Sequence, residues 1–203
     1  MGRIPRILAA AGAAGALALA GCSDSDSSEA DSTTTATTTE AADAAAPAGV
    51  VEQYTTVEEE IAAEGGETTS GPWRVAYIVE AAEPWYEPAG AEQQFREPAP
   101  GENYHIEIIP FEASTGRIVP EVPITLEVVG ADAQVVDSKQ LNFYYSTFFH
   151  YADNFVVPDP GTYTLRATLG APTFFRHGEA GEIPPLTEGA TVEFTDVELP
   201  PPN

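Results

Sequence analysis

From Trp73 to the end of the chain, apolar residues return at every second position, and this period restricts the fold more than any other feature. Trp73, Val75, Tyr77 and Val79 alternate with Arg74, Ala76, Ile78 and Glu80, and Ile124, Leu126 and Val128 alternate with Thr125 and Glu127. Tyr163, Leu165, Ala167 and Leu169 alternate with Thr162, Thr164, Arg166 and Thr168, and Val192 and Phe194 with Thr191, Glu193 and Thr195. Successive side chains of a strand point to opposite faces, so each run reads as a strand with one face against a core. Turn-forming clusters separate the runs: Ser114-Thr115-Gly116, Gly130-Ala131-Asp132 and Pro158-Asp159-Pro160-Gly161. Seven to eight such strands in about 125 residues predict an all-β fold, one antiparallel β-sandwich. No internal repeat, phosphate-cradling glycine loop or serine-centred nucleophile motif is present, so binding is expected rather than catalysis.

The chain upstream reads differently. Arg3 and Arg6 precede a short apolar run, Ile7 to Ala20, and then Leu19-Ala20-Gly21-Cys22, the pattern of a bacterial lipobox. The run is shorter than the roughly 18 residues of a membrane-spanning helix, so residues 1–21 are expected to be a lipoprotein signal peptide. Cys22 would then carry the lipid, and two acyl chains anchor where one binds only marginally. It is the sole cysteine, which leaves the rest of the chain without a disulfide or a thiolate ligand. Residues 23–49 are Ser, Thr, Asp, Glu, Ala and Pro with almost no large apolar side chain, too little to offset the entropy of ordering. As a flexible coil they reach about 30 Å. Val57, Ile61 and Ala62 lie at helical spacing beside Glu58-Glu59-Glu60, with Gly65-Gly66 beyond, so a short helix is expected over 50–63. The division expected is signal peptide 1–21, acidic tether with a short helix 22–66, and β-sandwich domain 67–203.

The chain has 32 acidic and 8 basic residues. Loss of Arg3 and Arg6 with the signal leaves 6 basic against 32 acidic, a net charge of −26. Such a surface repels nucleic acid and anionic head groups. It says little about a metal, because acidic surfaces also serve solubility.

The candidate chemistry lies in three histidines, the only ones in the chain: His105 in Tyr104-His105-Ile106-Glu107, His150 in Phe149-His150-Tyr151-Ala152-Asp153-Asn154, and His177 in Arg176-His177-Gly178-Glu179. Imidazole is the commonest metal-ligating side chain, and three with a carboxylate suit copper, zinc, iron or nickel better than calcium or magnesium. His105 and Glu107 are two apart on a strand, so both project to one face while Tyr104, Ile106 and Ile108 pack inward. On spacing alone, three scattered histidines more often have no common purpose.

Their context adds more. Asn103-Tyr104-His105-Ile106-Glu107-Ile108 resembles the histidine-any-glutamate strand of the bacterial periplasmic Fe(II)-transport accessory proteins. His150-Tyr151-Ala152-Asp153-Asn154 is similar to that family's His-Tyr-Gly-Ala-Asn, and Pro160-Gly161-Thr162-Tyr163-Thr164-Leu165 to its Pro-Gly-x-Gly-x-Tyr. Arg176-His177-Gly178-Glu179 and Val192-Glu193-Phe194 follow in the family's order, while Val75–Val79 and Tyr86-Glu87-Pro88 fit more loosely. These proteins are copper- and iron-binding partners of high-affinity iron permeases with an immunoglobulin-like sandwich.

The resemblance implies one transition-metal ion per chain, copper or iron first, with zinc and manganese also competent. Its ligands would be His105, Glu107, His150 and His177. The partners would be a membrane outside the cytoplasm, reached through the lipid, an iron permease in it, and a second copy of the chain. The family's methionine ligand falls at Phe143, seven residues before the middle histidine, and the only methionine here is Met1. Loss of a soft thioether bears on Cu(I) preference, and Tyr144, Tyr145 and Tyr151 are near enough in sequence to line the space. The competing reading is a cell-envelope β-sandwich that docks a partner protein and has a degenerate metal site. With histidine ligands, binding is expected to fail as pH drops through the imidazole range near 6.5.

Overall fold

A computed structural model describes residues 45–201; the signal segment, Cys22 and most of the expected tether lie outside the described residues. One helix and eleven strands follow in order. They are α1 (Ala48–Glu64), β1 (Gly65–Ser70), β2 (Trp73–Ala81), β3 (Trp85–Ala89), β4 (Glu92–Arg96), β5 (Tyr104–Glu112), β6 (Ile124–Val129), β7 (Val135–Gln140), β8 (Asn142–Tyr145), β9 (Phe149–Phe155), β10 (Gly161–Leu169) and β11 (Ala190–Leu199). Nine of the strands form two antiparallel sheets, β1-β2-β5-β9-β8 and β11-β10-β6-β7, and β3-β4 is a separate hairpin. Three of the four alternating runs, in β2, β6 and β10, are central strands of these sheets, and the fourth, in β11, is an edge strand packed on the core by one face. Those without clean alternation, such as Gly-Gly-Glu-Thr-Thr-Ser in β1 and Glu-Gln-Gln-Phe-Arg in β4, lie at edges or in the hairpin, where no core selects for a period.

The two sheets enclose the main core. Trp73 and Val75 from β2, Tyr104, Ile106 and Ile108 from β5, Leu126 and Val128 from β6 and Leu165 and Ala167 from β10 all meet there. Strand β5 is buried from Tyr104 through Phe111, on both faces. Its outward residues face a second, smaller core in which Val57 and Ile61 of α1 pack on Ala76, Ile78, Ile109, Phe111 and Phe148. Val57 and Ile61 are one helical turn apart, so a single stripe of α1 is enough to cover the sheet.

The sequence places the helix with the tether, up to residue 66. In the structure α1 belongs to the folded body, which begins at Ala45. Arg74 pins it by pairing with Glu58 (2.5 Å) and Glu67 (2.7 Å), and Tyr54 accepts a hydrogen bond from the Ile118 amide (3.2 Å). The helix ends where expected. Gly65 takes extended backbone angles, and a Cβ there would fall 1.9 Å from the Tyr77 carbonyl oxygen, so the close turn onto β2 needs glycine.

Candidate metal centre

Strands β5 and β9 lie side by side with His105 opposite Asn154 and Glu107 opposite Ala152. Paired residues share a face, so His105, Glu107, His150 and Asn154 all project from the outer side of the five-stranded sheet. Ligand atoms of His105, Glu107 and His150 lie within 4.8 Å of one another. Glu107 Oε1 is 3.8 Å from His105 Nε2 and 3.5 Å from His150 Nε2. All three residues are 5 % exposed or less.

Asn154 sets the histidine tautomer. Its Nδ2 donates to the Glu83 carbonyl (2.7 Å), and its Oδ1 accepts from the Glu83 amide (3.1 Å). The amide is therefore oriented with Oδ1 as the acceptor, and His105 Nδ1, 3.0 Å away, must donate to it. That leaves the lone pair of His105 on Nε2, turned toward Glu107. Such an outer partner orients a ligating imidazole and raises its basicity.

The group has polar atoms that the protein does not satisfy. Glu107 Oε2 and His150 Nδ1 are buried without a hydrogen-bond partner. A buried unpaired carboxylate oxygen is costly, and a coordinated cation would remove that cost. The donor set fits an ion.

Burial dominates the electrostatics. It pushes the Glu107 carboxyl from its ordinary 4.5 up to about 9, with Glu80, Glu60 and Glu83 adding to the rise. It pushes His150 from 6.5 down to about 4, helped by neighbouring His105. His105 is also lowered by burial, against the opposing effects of Asn154, Glu83 and Asp153. At neutral pH the site therefore holds two neutral imidazoles, ready to coordinate, and a protonated carboxyl whose proton an ion must displace.

Aromatic side chains wall the site. Tyr144 of β8 lies opposite His150, with rings parallel to within 5° at 5.5 Å, and meets His105 edge-on at 6.0 Å. Trp85 of the β3-β4 hairpin covers His105 at 6.3 Å and contacts Tyr144 at 5.5 Å. Arg96 stacks over Trp85 at 4.2 Å and is itself fixed by Glu102 at 2.7 Å, which ties the hairpin down.

Of the residues singled out in the sequence, the structure brings His105, Glu107 and His150 together. His177 is not in this group. It is exposed on the loop 170–189 between β10 and β11, next to Arg176, which holds the loop by donating to the Pro185 and Leu186 carbonyls (2.9 and 2.7 Å).

Register sets the face from which Phe143 projects. It lies opposite Tyr151, whose side chain enters the main core, and stacks on Phe149 at 5.4 Å. Its side chain thus starts from the face opposite His150 while still bordering the cavity that the histidines line, and Tyr144 is the β8 residue stacked on His150. A one-residue step reverses the face of every side chain in a strand. Tyr144 is expected to line the space and does, whereas Trp85 and the part played by Asn154 are what sequence reasoning passed over. Asn154 alone carried a signal, standing four residues after His150 on the same strand face.

Comparison with protein families and with curated proteins gives no match to this sequence. Solved structures do match. The FetP protein of uropathogenic E. coli strain F11, expressed in the periplasm of E. coli, superposes with a TM-score of 0.50 at 19 % identity, over 67 % of this chain and 95 % of FetP. The copper-reconstituted P19 protein of Campylobacter jejuni gives 0.52 at 19 % identity, over 68 % of this chain and 96 % of P19. A copper-bound P19 variant gives 0.52 at 18 % identity, over 68 % and 98 %. The likeness is to the family that the sequence resembles, and at this identity it establishes a shared fold.

Proposed function

We propose that the chain is a lipid-anchored extracytoplasmic protein that holds one transition-metal ion and assists iron uptake by a permease in the same membrane. The observation that carries this reading is the buried His105–Glu107–His150 group, whose ligand atoms lie within 4.8 Å around a carboxylate oxygen with no other partner. The copper-bound state of the P19 structures and the sequence motifs shared with the iron-transport accessory proteins support it. Two imidazoles and a carboxylate suit copper or iron, and accept zinc or manganese. Exposed His177 enters this reading as a ligand from a second copy, in the homodimer that the family resemblance allows. The role is to hold and hand over an ion, which favours moderate affinity over a closed structural site.

Full-length protein purified without added metal is expected to carry close to one transition ion per chain by elemental analysis, and His150→Ala to lose it. Equal metal content and equal affinity in the two proteins would sink the assignment. A second reading, a partner-docking module with a degenerate site, draws on the aromatic side chains Phe143, Tyr145 and Phe149 at the β8 edge, which are 45, 76 and 36 % exposed. It predicts no bound metal, so the same measurement separates the two.

A further inference from the structure

The hairpin β3-β4 pairs with no other described strand, and none of its strand residues is buried. A two-stranded ribbon of this kind is marginal by itself, so its position depends on a few anchors. Pro84 on the leg that enters it, and Pro98 and Pro100 on the leg that leaves, have no amide with which to extend a sheet. The leaving leg also contains Gly101, whose φ of 94° lies in the region that favours glycine. Through Trp85, Tyr86, Glu87, Pro88 and Gln93 the hairpin forms one wall of the cavity, about 960 Å³, that the histidines line. A movement of the hairpin therefore uncovers the site.

Two of the anchors lead to the histidines. Asn154, fully buried, accepts from the Glu83 amide and donates to the Glu83 carbonyl, which clamps the entering leg one residue before Pro84. The same Oδ1 accepts from His105 Nδ1 (3.0 Å), so one amide holds both the ring of a ligand and the root of the hairpin. Trp85 is the second anchor, resting against His105 and Tyr144. The third is on the leaving leg, where Glu102 accepts from Arg96 and from the Ala99 amide, both at 2.7 Å. This arrangement leaves two polar groups unsatisfied. Arg96 Nη1, and Tyr144 Oη on the ring that Trp85 contacts, are buried without a partner. Such groups are costly, and lifting the hairpin would admit water to both.

We propose that β3-β4 is a lid over the metal position, which an ion on His105 holds shut through Asn154 and which must lift on its two legs for the ion to leave. The inference rests on the metal-binding reading given above. An ion on His105 Nε2 fixes the ring, a fixed ring keeps Nδ1 on Asn154, and Asn154 then keeps Glu83 in place. Without an ion the ring is free to turn, the clamp on Glu83 weakens, and hydration of Arg96 and Tyr144 favours the lifted position. Hinges of this kind absorb the movement in a few loop residues. Linkage makes the effect reciprocal: whatever holds the lid open weakens retention of the ion by the same factor. A carrier gains from this, because holding an ion and handing it over need opposite rates of exchange.

The test uses full-length protein and Zn(II), which neither changes oxidation state nor quenches fluorescence. Of the two tryptophans Trp73 is 1 % exposed, so quenching by acrylamide reports Trp85. Saturating Zn(II) is expected to reduce that quenching. It should also slow hydrogen exchange about tenfold at the amides of Ala82 and Glu83, which bond to Asn103 and Asn154 across the root of the hairpin. Arg96→Met cuts the anchor to Glu102 and leaves the ligands in place, and should speed release of Zn(II) to an excess of chelator about tenfold. If that variant does not fold, Trp85→Leu should give the same faster release. Asn154→Asp keeps an acceptor for His105 but sets a carboxylate oxygen against the Glu83 carbonyl, so it should bind Zn(II) with the quenching response lost. Wild-type quenching and exchange that do not change with Zn(II) overturn the lid, as does release at the wild-type rate from Arg96→Met or, in its place, Trp85→Leu. A response of wild-type size in Asn154→Asp overturns the link through Asn154. A wild type that binds no Zn(II), or binds it equally after His150→Ala, refutes the metal-binding reading instead.

Discussion

Between about pH 4.5 and 9 the folded chain keeps a proton on Glu107 that the unfolded chain has released, because burial and the nearby Glu80, Glu60 and Glu83 raise that carboxyl to about 9. The unfolded state binds fewer protons in that window, so this group makes the metal-free protein less stable as pH rises through it. An incoming ion reverses the situation by taking the proton's place. At pH 7.5 binding is expected to release about one proton, seen by calorimetry as a dependence of the apparent enthalpy on the buffer's ionisation enthalpy. Glu107→Gln should release none. The histidines alone suggested a loss of binding near pH 6.5, but His150 lies at about 4 and is already neutral there. Affinity should instead decline steadily as pH falls from 9, and a sharp break confined to 6.5 would contradict this.

Also at residue scale, Tyr144 rather than Phe143 is the β8 side chain beside His150. Phe143→Met is expected to leave Cu(I) affinity unchanged, because the side chain is on the face of Phe149 and Tyr151. Tyr144→Met places a thioether beside His150, and should raise Cu(I) affinity about tenfold, roughly 1.4 kcal/mol, with little change for zinc. Competition against a Cu(I) chelator decides, and a gain at 143 with none at 144 would mean that the β8 register is different.

Among the elements, α1 links the expected tether to the site. It closes the outer face of the five-stranded sheet with Val57 and Ile61 and sends Glu60 into the cavity. Ile61 is 6 % exposed, and truncating a side chain so buried leaves a void that the sheet cannot fill. Ile61→Ala is expected to cost about 2–4 kcal/mol in urea unfolding. A cost under about 0.5 kcal/mol, the range of exposed surface changes, would show that the helix does not pack on the sheet in solution. The Arg74–Glu58 pair contributes far less, since both side chains reach solvent and salt screens them. The hairpin β3-β4 plays a comparable part from the other side, with Trp85 laid over His105 and Arg96 laid over Trp85.

For the whole molecule, the proposed lipid at Cys22 decides where the site works. Cys22→Ser is expected to free the protein from membranes or block its maturation, and fractionation of cells expressing the variant checks it. Mature variant still in the membrane fraction would refute the lipobox reading. No described helix is long and apolar enough to cross a membrane. The formal net charge of −24 sets a long-range field that favours cations over nucleic acid.

The sequence by itself determined the β-sandwich, the helix end at Gly65 and the pairing of His105 with Glu107. Each depends on neighbours within a few positions: a period of two, a glycine after a helical stripe, two residues on one strand face. It also carried His150, through motif resemblance. Only the tertiary structure decided that Asn154 fixes the His105 ring, that Tyr144 rather than Phe143 lies beside His150, that α1 belongs to the folded body, and that Glu60 and Glu80 border the cavity that the histidines line. These residues come from β9, β8, α1 and β2, and their meeting depends on strand order and register. Register at an edge strand such as β8 is set by the length of the turn to β9 and by cross-strand packing, which no local pattern encodes.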